Sequence, residues 1–507
     1  MNTARPLMKW WGWGSPNVST EPSEELLHRL RLALGCDFPR QIPDRRPPRL
    51  PAKRPVTACG GLRTDDATRL QFAAGRSYID LIRLRRGQLI EAPDAVASPA
   101  SADEIRPLLR QRASAVVPFG GGTSVVGGVA ARRGKHDSVI VLDTSNLNRV
   151  LALDAESMTI RVEAGMFGPE LERHARAAGL TLGHFPQSFE YSTVGGWIAA
   201  RSAGQESTRY GSIEDVVTAV TMLAPAGDIA TKAVPRSATG PELRDLVVGS
   251  EGAFGVITDA TLRLHRIAQR RVYRSYLFRT FEEGVDAVRE LLQRAPTTPA
   301  VLRLSDETET QLAFDVSRTS PAVQSLLHRF GRAPGAHLLL GFDDAALQAR
   351  PRGGLPLGGS PGKKWSRERF SHPYMRDTLI DYGVFVETFE TATSWSNLLP
   401  LYRGITGTLR GVVAVHLSHA YTDGASLYFT VFDAPSRDGE EAFWDAFKKQ
   451  ATDAIVACGG TISHHHGIGV DHKAWLRTER GSLGLQLLGA MKRELDPDEI
   501  MNPEKLL

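Results

Sequence analysis

Three consecutive glycines, Gly120, Gly121 and Gly122, stand behind the apolar pair Val116 and Val117 and ahead of Thr123 and Ser124. A run without Cβ atoms lets the backbone turn sharply and aim its N–H groups at an anion such as a pyrophosphate. The full stretch reads Val116-Val-Pro-Phe-Gly-Gly-Gly-Thr-Ser-Val-Val-Gly-Gly128. Val125 occupies the place of the third glycine in a Rossmann G-x-G-x-x-G, and no Gly-Lys-Ser/Thr follows as a P-loop requires. Both familiar nucleotide folds are therefore disfavoured. By itself such a turn is more often structural than functional.

Around it, short β runs alternate with short helices. Val139 to Leu142 reads as a buried strand, and Met158 to Ala164 alternates apolar and polar residues like a half-buried one. Pro169 opens a helix whose Leu171, Ala175 and Ala178 share a face, and Gly179 closes it. Gly255 to Thr258 and Ala260 to Leu264 are the last strand signals of this region. A second unit starts with strands at Arg271 to Phe278 and Ala300 to Leu304 around a helix at Phe281 to Arg294. The expected class from these residues is α+β or α/β.

At 507 residues the chain exceeds one compact core, since single cores stop growing near ~250–300 residues. The expected division is an arm over 1–84, a first domain over 85–270, a second over 271–455 and a C-terminal segment over 456–507. The arm holds Trp10, Trp11 and Trp13, a helix at Ser23 to Leu34 and a Pro/Arg-rich run from Pro39 to Pro55 that favours an extended path over other domains. Pro351 to Gly362 is the strongest loop signal, holding too much Gly and Pro for regular structure. A lid and an inert surface excursion both fit it.

Lys plus Arg number 61 against 57 Asp plus Glu, a net charge of +4 that offers no broad case for nucleic acid. Cys36, Cys59 and Cys458 lack CxxC spacing, so neither a disulfide framework nor a thiolate metal site is suggested. The first ten residues lack the apolar core of a secretion signal, no stretch approaches the ~18–20 apolar residues of a membrane span, and the C-terminus is not Ser-Lys-Leu. A cytoplasmic location is the plain reading.

Four further blocks accompany the glycine loop: Pro186 to Gly196, Ala200 to Ala203, Tyr210 to Val216 and Gly249 to Ile257. In this order and spacing they resemble the FAD-binding domain of the vanillyl-alcohol oxidase/p-cresol methylhydroxylase superfamily. The resemblance narrows to the alkyldihydroxyacetonephosphate synthase family through Met8 to Gly14, Gly183-His-Phe-Pro186, Arg369 to Asp377, Tyr421 to Tyr428, and Gly459 to Gly469 with its triple histidine. It implies an α+β protein: a PCMH-type FAD-binding domain and an α+β substrate, or cap, domain with an antiparallel sheet.

Carried over position by position, the resemblance implies non-covalent FAD held by Pro118, Gly120, Gly121, Gly122, Thr123 and Ser124. Further contacts fall on Gln187, Ser188, Ser192 and Thr193, on Ala200, Arg201, Ser202 and Ala203, and on Glu251, Gly252, Gly255, Val256 and Ile257. Gln187 stands where the family usually has Asp. Arg376 would grip a substrate phosphate and Arg303 would stand near the flavin, although a surface salt bridge is the ordinary fate of either. Tyr421 matches an acid–base tyrosine and His184 a histidine near the flavin, while a buried core aromatic is the plainer fate of Tyr421.

His464, His465 and His466 admit three readings: a metal site, a satisfied or exposed cluster, and an acid–base cluster beside the flavin. On a strand or extended loop, His464 and His466 would share one face and His465 the other. Related metal-dependent 2-hydroxyacid dehydrogenases carry an HxGDGNxH-like segment and a Glu-His-Gly here. This chain has Tyr428 in place of their second His and His465 in place of their Glu, which argues against their metal and their reaction, and no metal is assigned. The tail Leu495 to Pro503 looks closer to those enzymes.

The resemblance implies exchange of the acyl group of acyl-dihydroxyacetone phosphate (acyl-DHAP) for a long-chain fatty alcohol, giving an ether with no net redox change and the flavin as a covalent trap. Tyr421 and the three histidines would shuttle protons, and loop 351–362 would gate an apolar channel. The rival is an FAD-dependent oxidase or dehydrogenase of a 2-hydroxy acid. A lipid substrate leaves room for a peripheral membrane contact, and a homodimer is compatible with the family.

Overall fold

A computed structural model describes residues 5–39, 46–56, 61–295, 297–329, 334–344, 349–436 and 439–507. Cys59 and positions 40–45 of the Pro/Arg-rich run lie outside the described residues.

Two sheets carry the first half of the chain. Ala95–Ala97, Ser138–Asp143 and Ser114–Phe119 form a parallel sheet with Ser138–Asp143 at its centre. Every residue of that central strand is buried, as a parallel strand covered on both faces demands of the run Val139 to Leu142. The C-terminal tail extends this sheet: Val116 N–H donates to the Ile500 carbonyl at 2.7 Å and Asn502 N–H to the Val116 carbonyl at 2.9 Å. The second sheet is antiparallel, ordered Val150–Asp154, Thr159–Glu163, Val256–Arg263, Val217–Leu223, Asp228–Ala230. The two strand signals expected on either side of Asp259 are one strand, Val256–Arg263. Helix Gly168–Ala177 has Pro169 in its first turn, and Gly179 follows at φ 74°, so the Pro-first, Gly-last rule operates here.

The second half builds a seven-stranded antiparallel sheet. Its order is Leu355–Gly358, Arg271–Phe278, Ala336–Asp343, Val301–Ser305, Val412–Ala420, Gly424–Asp433, Phe385–Ser394. Helices Phe281–Arg294, Trp395–Thr408 and Glu440–Ala457 cover one face, where Phe281, Leu291, Leu401 and Phe447 pack on Leu304, Leu338, Leu417 and Phe429. The opposite face looks toward the first half of the chain.

The Gly/Pro-rich segment departs from expectation. Leu355–Gly358 is an edge strand on Arg271–Phe278, and Ser360 begins helix Ser360–Glu368. Gly353, Gly354 and Gly358 take positive φ (72°, 75° and 76°) and so turn the chain at the strand's ends rather than within it. Pro356 is tolerated on an edge strand, and Pro361 in the first helical turn.

The arm reaches over both halves. Ser23 caps helix Glu24–Leu34 through the Leu26 N–H, and Leu26, Leu27 and Leu30 bury against Leu312, Leu379 and Val386. Trp13 packs on Tyr191 and Tyr374, and the Arg5 guanidinium donates to the Gly120 carbonyl at 2.7 Å. Among the described residues no helix is long and apolar enough to cross a membrane.

Candidate active site

A cavity of about 1080 Å³ lies between the two halves. One wall is the glycine loop, which leaves strand Ser114–Phe119 and is pressed against the chain at Tyr191 and Ser192. A Cβ at Gly121 would sit 1.9 Å from the Tyr191 carbonyl oxygen. The backbone N–H groups of Gly121, Gly122, Thr123 and Ser124 find no acceptor among the described residues. Unpaired N–H groups on a close-packed turn are what a pyrophosphate needs, so these residues fit the FAD that the family resemblance implies.

Pro118, Gly120, Gly121, Gly122, Thr123, Ser124, Gln187, Ser188, Ser192, Thr193, Ala200, Ser202, Ala203, Glu251, Gly252, Gly255, Val256 and Ile257 all border the cavity. Arg201 does not. It ends helix Val194–Ala200 in the left-handed region (φ 54°), and its guanidinium pairs with Glu214. His184 lies just behind the wall: fully buried, it holds the Ser202 hydroxyl 3.0 Å from Nε2 and packs on Trp197. Burial pushes its pKa down to about 3, so it is a neutral support for the wall. Gln187 donates from Nε2 to the Arg369 carbonyl at 2.5 Å and accepts from Gln205 Nε2 at 2.9 Å. An aspartate has no N–H for that carbonyl, which gives the departure at this position a structural use.

The opposite wall is the open face of the seven-stranded sheet. His337, Ser305, His416, Tyr428 and Glu390 are successive cross-strand partners, and directly opposed residues of antiparallel strands share a face. Glu390 is the anchor of the histidine loop. Its carboxylate accepts from Ser463 Oγ (2.9 Å) and from the backbone N–H of His464 (2.6 Å), His465 (3.0 Å) and His466 (2.9 Å). Burial opposes the Glu390 charge, yet His465, His466, His464 and the backbone donors hold its pKa well below the usual carboxylate range.

Wrapped around a carboxylate, the loop loses the expected strand alternation. His465 and His466 border the cavity together, and His464 turns to Tyr421, whose hydroxyl is 2.8 Å from Nε2. Tyr421 itself does not border the cavity, so it reaches it through His464. The Nδ1 atoms of His464 and His465 are 3.0 Å apart, hence one carries a proton and the other accepts it. Tyr421, His464 and His465 thus form one hydrogen-bonded chain ending in the cavity. Burial lowers the pKa of all three loop histidines against the opposing charge of Glu390, and raises that of Tyr421 to about 12. Such groups can pass a proton along a hydrogen-bonded chain.

Glu390, His464 and His465 bring ligand atoms within 4.8 Å of one another, a spacing compatible with a metal ion. The Glu390 carboxylate, however, already takes four donors, and both His464 nitrogens are committed. The arrangement therefore serves a proton relay better than a metal ligand set. His419 adds to the cluster, its ring 4.7 Å from that of His465 and its Nδ1 2.7 Å from Ser207 Oγ. A bulge between Ser418 and Ala420, with His419 at φ 46°, puts it on the cavity side.

From the other half, the Glu251 carboxylate accepts the N–H groups of Ile468 (2.5 Å) and Gly469 (2.6 Å). The histidine loop is therefore tied at both ends to separate carboxylates. Both sequence-predicted arginines border the cavity rather than the surface. Arg303 pairs with Glu309 at 2.8 Å, and Arg376 donates to the Arg76 carbonyl at 3.1 Å while its buried Nε has no partner among the described residues. Beyond the polar row the cavity runs on into an apolar arm formed by Leu26, Leu312, Leu379, Val386, Ala414 and Phe432.

Sequence reasoning missed Glu390, His416, Glu309 and His337 as site residues. The one available signal was that Phe385 to Thr393 and Val412 to Ala420 put polar residues among strand-forming ones.

Comparison with known proteins matches residues 93–232 to the "FAD binding domain" family and residues 267–352 and 360–506 to "FAD linked oxidases, C-terminal domain". An alkyldihydroxyacetonephosphate synthase of Dictyostelium discoideum is 32% identical over 480 residues, 88% of this chain and 78% of that protein. One from Trypanosoma brucei brucei is 32% identical over 489 residues, covering 90% and 79% respectively. A solved structure of an alkyldihydroxyacetonephosphate synthase superposes with a TM-score of 0.80 at 26% identity, covering 98% of this chain and 99% of the other.

Proposed function

This chain belongs to the alkyldihydroxyacetonephosphate synthase family, and we propose that it exchanges the acyl group of acyl-DHAP for a long-chain alcohol with FAD as its non-covalent cofactor. The observation that carries this reading is the junction of three features in one cavity: an anion-binding glycine loop, a proton relay ending at His465, and an apolar arm of lipid character.

When bound, FAD supplies an electrophilic ring that can hold a carbon fragment between the departure of one group and the arrival of another. The chain's own residues do the rest. Arg376, with an unused buried donor, holds the substrate phosphate. His465 takes the proton from the carbon next to the ketone as its Nδ1 proton moves to His464 and the His464 Nε2 proton moves to the Tyr421 oxygen, whose own proton leaves to solvent on its half-buried side; the same hops in reverse return a proton. His466 and His419 complete the polar end, and the arm shelters the hydrocarbon tails from water.

An oxidase or dehydrogenase of a 2-hydroxy acid is less well supported. Tyr428 and His465 stand where that chemistry has a His and a Glu, and a small hydroxy acid has no use for the apolar arm. The proposed reading places the enzyme in the cytoplasm, as a homodimer with a peripheral lipid contact, for which exposed Leu483 and Leu487 supply apolar surface.

The test mixes flavin-loaded enzyme anaerobically with palmitoyl-DHAP and hexadecanol, and separately with 2-hydroxy acids, following flavin absorbance and extracted lipid together. Ether lipid with the flavin oxidised at completion is the expected result. Bleaching by a hydroxy acid without ether lipid overturns it.

A further inference from the structure

Where the polar row meets the apolar arm, Arg303, Glu309 and His416 close a triad. Arg303 Nη1 lies 3.0 Å from His416 Nε2, His416 Nδ1 3.0 Å from Glu309 Oε1, and Arg303 Nη2 2.8 Å from the same oxygen. A guanidinium only donates, so His416 Nε2 must accept and its single ring proton must sit on Nδ1, pointing at Glu309. Glu309 Oε1 therefore has two donors. The Ser305 hydroxyl stands beside this carboxylate, but the other oxygen, Oε2, is buried and makes no hydrogen bond among the described residues, and neither does His337 Nε2.

Both residues border the cavity, and His337 follows Ser305 and His416 in the cross-strand row. Glu309 is near enough to His337 to influence its protonation, and burial keeps that imidazole neutral, with its pKa down at about 4. Leu312, one turn along helix Glu307–Val316 from Glu309, already belongs to the apolar arm.

A buried carboxylate oxygen without a donor and a neutral imidazole without a partner each cost stability until something satisfies them. A hydroxyl satisfies both, giving its proton to Glu309 and accepting from the His337 N–H. A carboxylate has no proton to give and meets a like charge.

We propose that Glu309 and His337 seat the hydroxyl of the long-chain alcohol at the neck of the apolar arm, and that Glu309 turns the fatty carboxylate away. This deepens the synthase reading and rests on it. The arrangement makes one end of the cavity choose between the incoming alcohol and the departing acid, two molecules with the same tail. Arg303 is held by Glu309 and His416, which keeps its charge from recruiting the carboxylate.

Equilibrium dialysis of flavin-loaded enzyme with radiolabelled hexadecanol or palmitate tests this. The wild-type protein should retain the alcohol about tenfold or more over the acid, the factor expected for a hydrogen bond to a buried charge. Glu309→Gln should collapse or reverse the preference, because the amide N–H serves a carboxylate and Arg303 is released. His337→Phe keeps the Arg303–Glu309 pair and should weaken alcohol binding alone, with flavin content as the check on folding. Equal retention of acid and alcohol by the wild type, or an unchanged ratio in a flavin-loaded His337→Phe, overturns the proposal. Ether formation is measured on the same preparations. Ether product without alcohol preference sinks the hydroxyl seat alone, whereas selective alcohol binding without ether product sinks the synthase reading alone.

Discussion

The Glu390 carboxylate accepts the backbone N–H of His464 at 2.6 Å, across 74 residues of sequence, and this contact sets where all three loop histidines point. Glu390→Gln offers one acceptor oxygen and an NH2 group that confronts the same N–H donors. The variant should lose about 1.5–3 kcal/mol of stability and show a histidine loop newly open to proteolysis, as read by thermal melting and limited digestion. Unchanged melting and digestion would mean that the loop is held by Glu251 and packing alone.

Tyr421→Phe removes the outer end of the relay and leaves the buried ring. Turnover should fall by about 10²–10⁴-fold with flavin content and melting temperature unaltered, and the pH dependence of the remaining activity should flatten. Full activity in this variant would route the proton elsewhere, with His466 as the next group in the cavity.

Gly121→Ala forces a methyl group to within 1.9 Å of the Tyr191 carbonyl, which backbone cannot yield without moving the loop. The purified variant should be largely colourless, with its flavin absorbance lost relative to protein. Retention of full flavin would place the anion-binding N–H groups elsewhere.

Buried neutral histidines make the fold sensitive to acid. His184 and His472 are pushed down to about 3, and His337 to about 4, in each case first by burial. Their folded pKa values lie below the unfolded value of 6.5, so the stability they contribute is complete above that pH. It drains as the pH falls from there toward 3–4, because the unfolded chain takes up protons that the folded one refuses. Melting temperature should be flat above pH 7 and decline steeply below pH 6, and His184→Phe should shallow that decline. A melting temperature indifferent to pH between 7 and 5 would contradict the buried, neutral state of these rings.

Local chemistry was legible in the residues alone. The helix at Ser23 to Leu34, Pro169 and Gly179 as helix start and stop, and Val139 to Leu142 as a buried strand each depend on neighbours a few positions away. The glycine loop was legible for the same reason, since a turn without Cβ atoms is a property of consecutive residues. The family resemblance carried by the motif blocks around it, rather than the residues alone, pointed to Arg303 and Arg376, and both border the cavity.

Direction and long-range pairing were decided only when the chain closed. Arg201 sits in the right block but leaves it, because a left-handed helix end turns its side chain toward Glu214. Tyr421 and His184 are near the cavity but not at its surface, and Leu355–Gly358 within Pro351 to Gly362 pairs as an edge strand on Arg271–Phe278. Glu390, Glu309, His337 and His416 carry no motif. Their roles come from cross-strand register and from a loop that returns many residues later. The sequence by itself determined the turns and helix ends, since those are set by contacts between near neighbours. The tertiary structure decided which polar groups face one another in the cavity, because hydrogen bonds between distant segments exist only once those segments have packed.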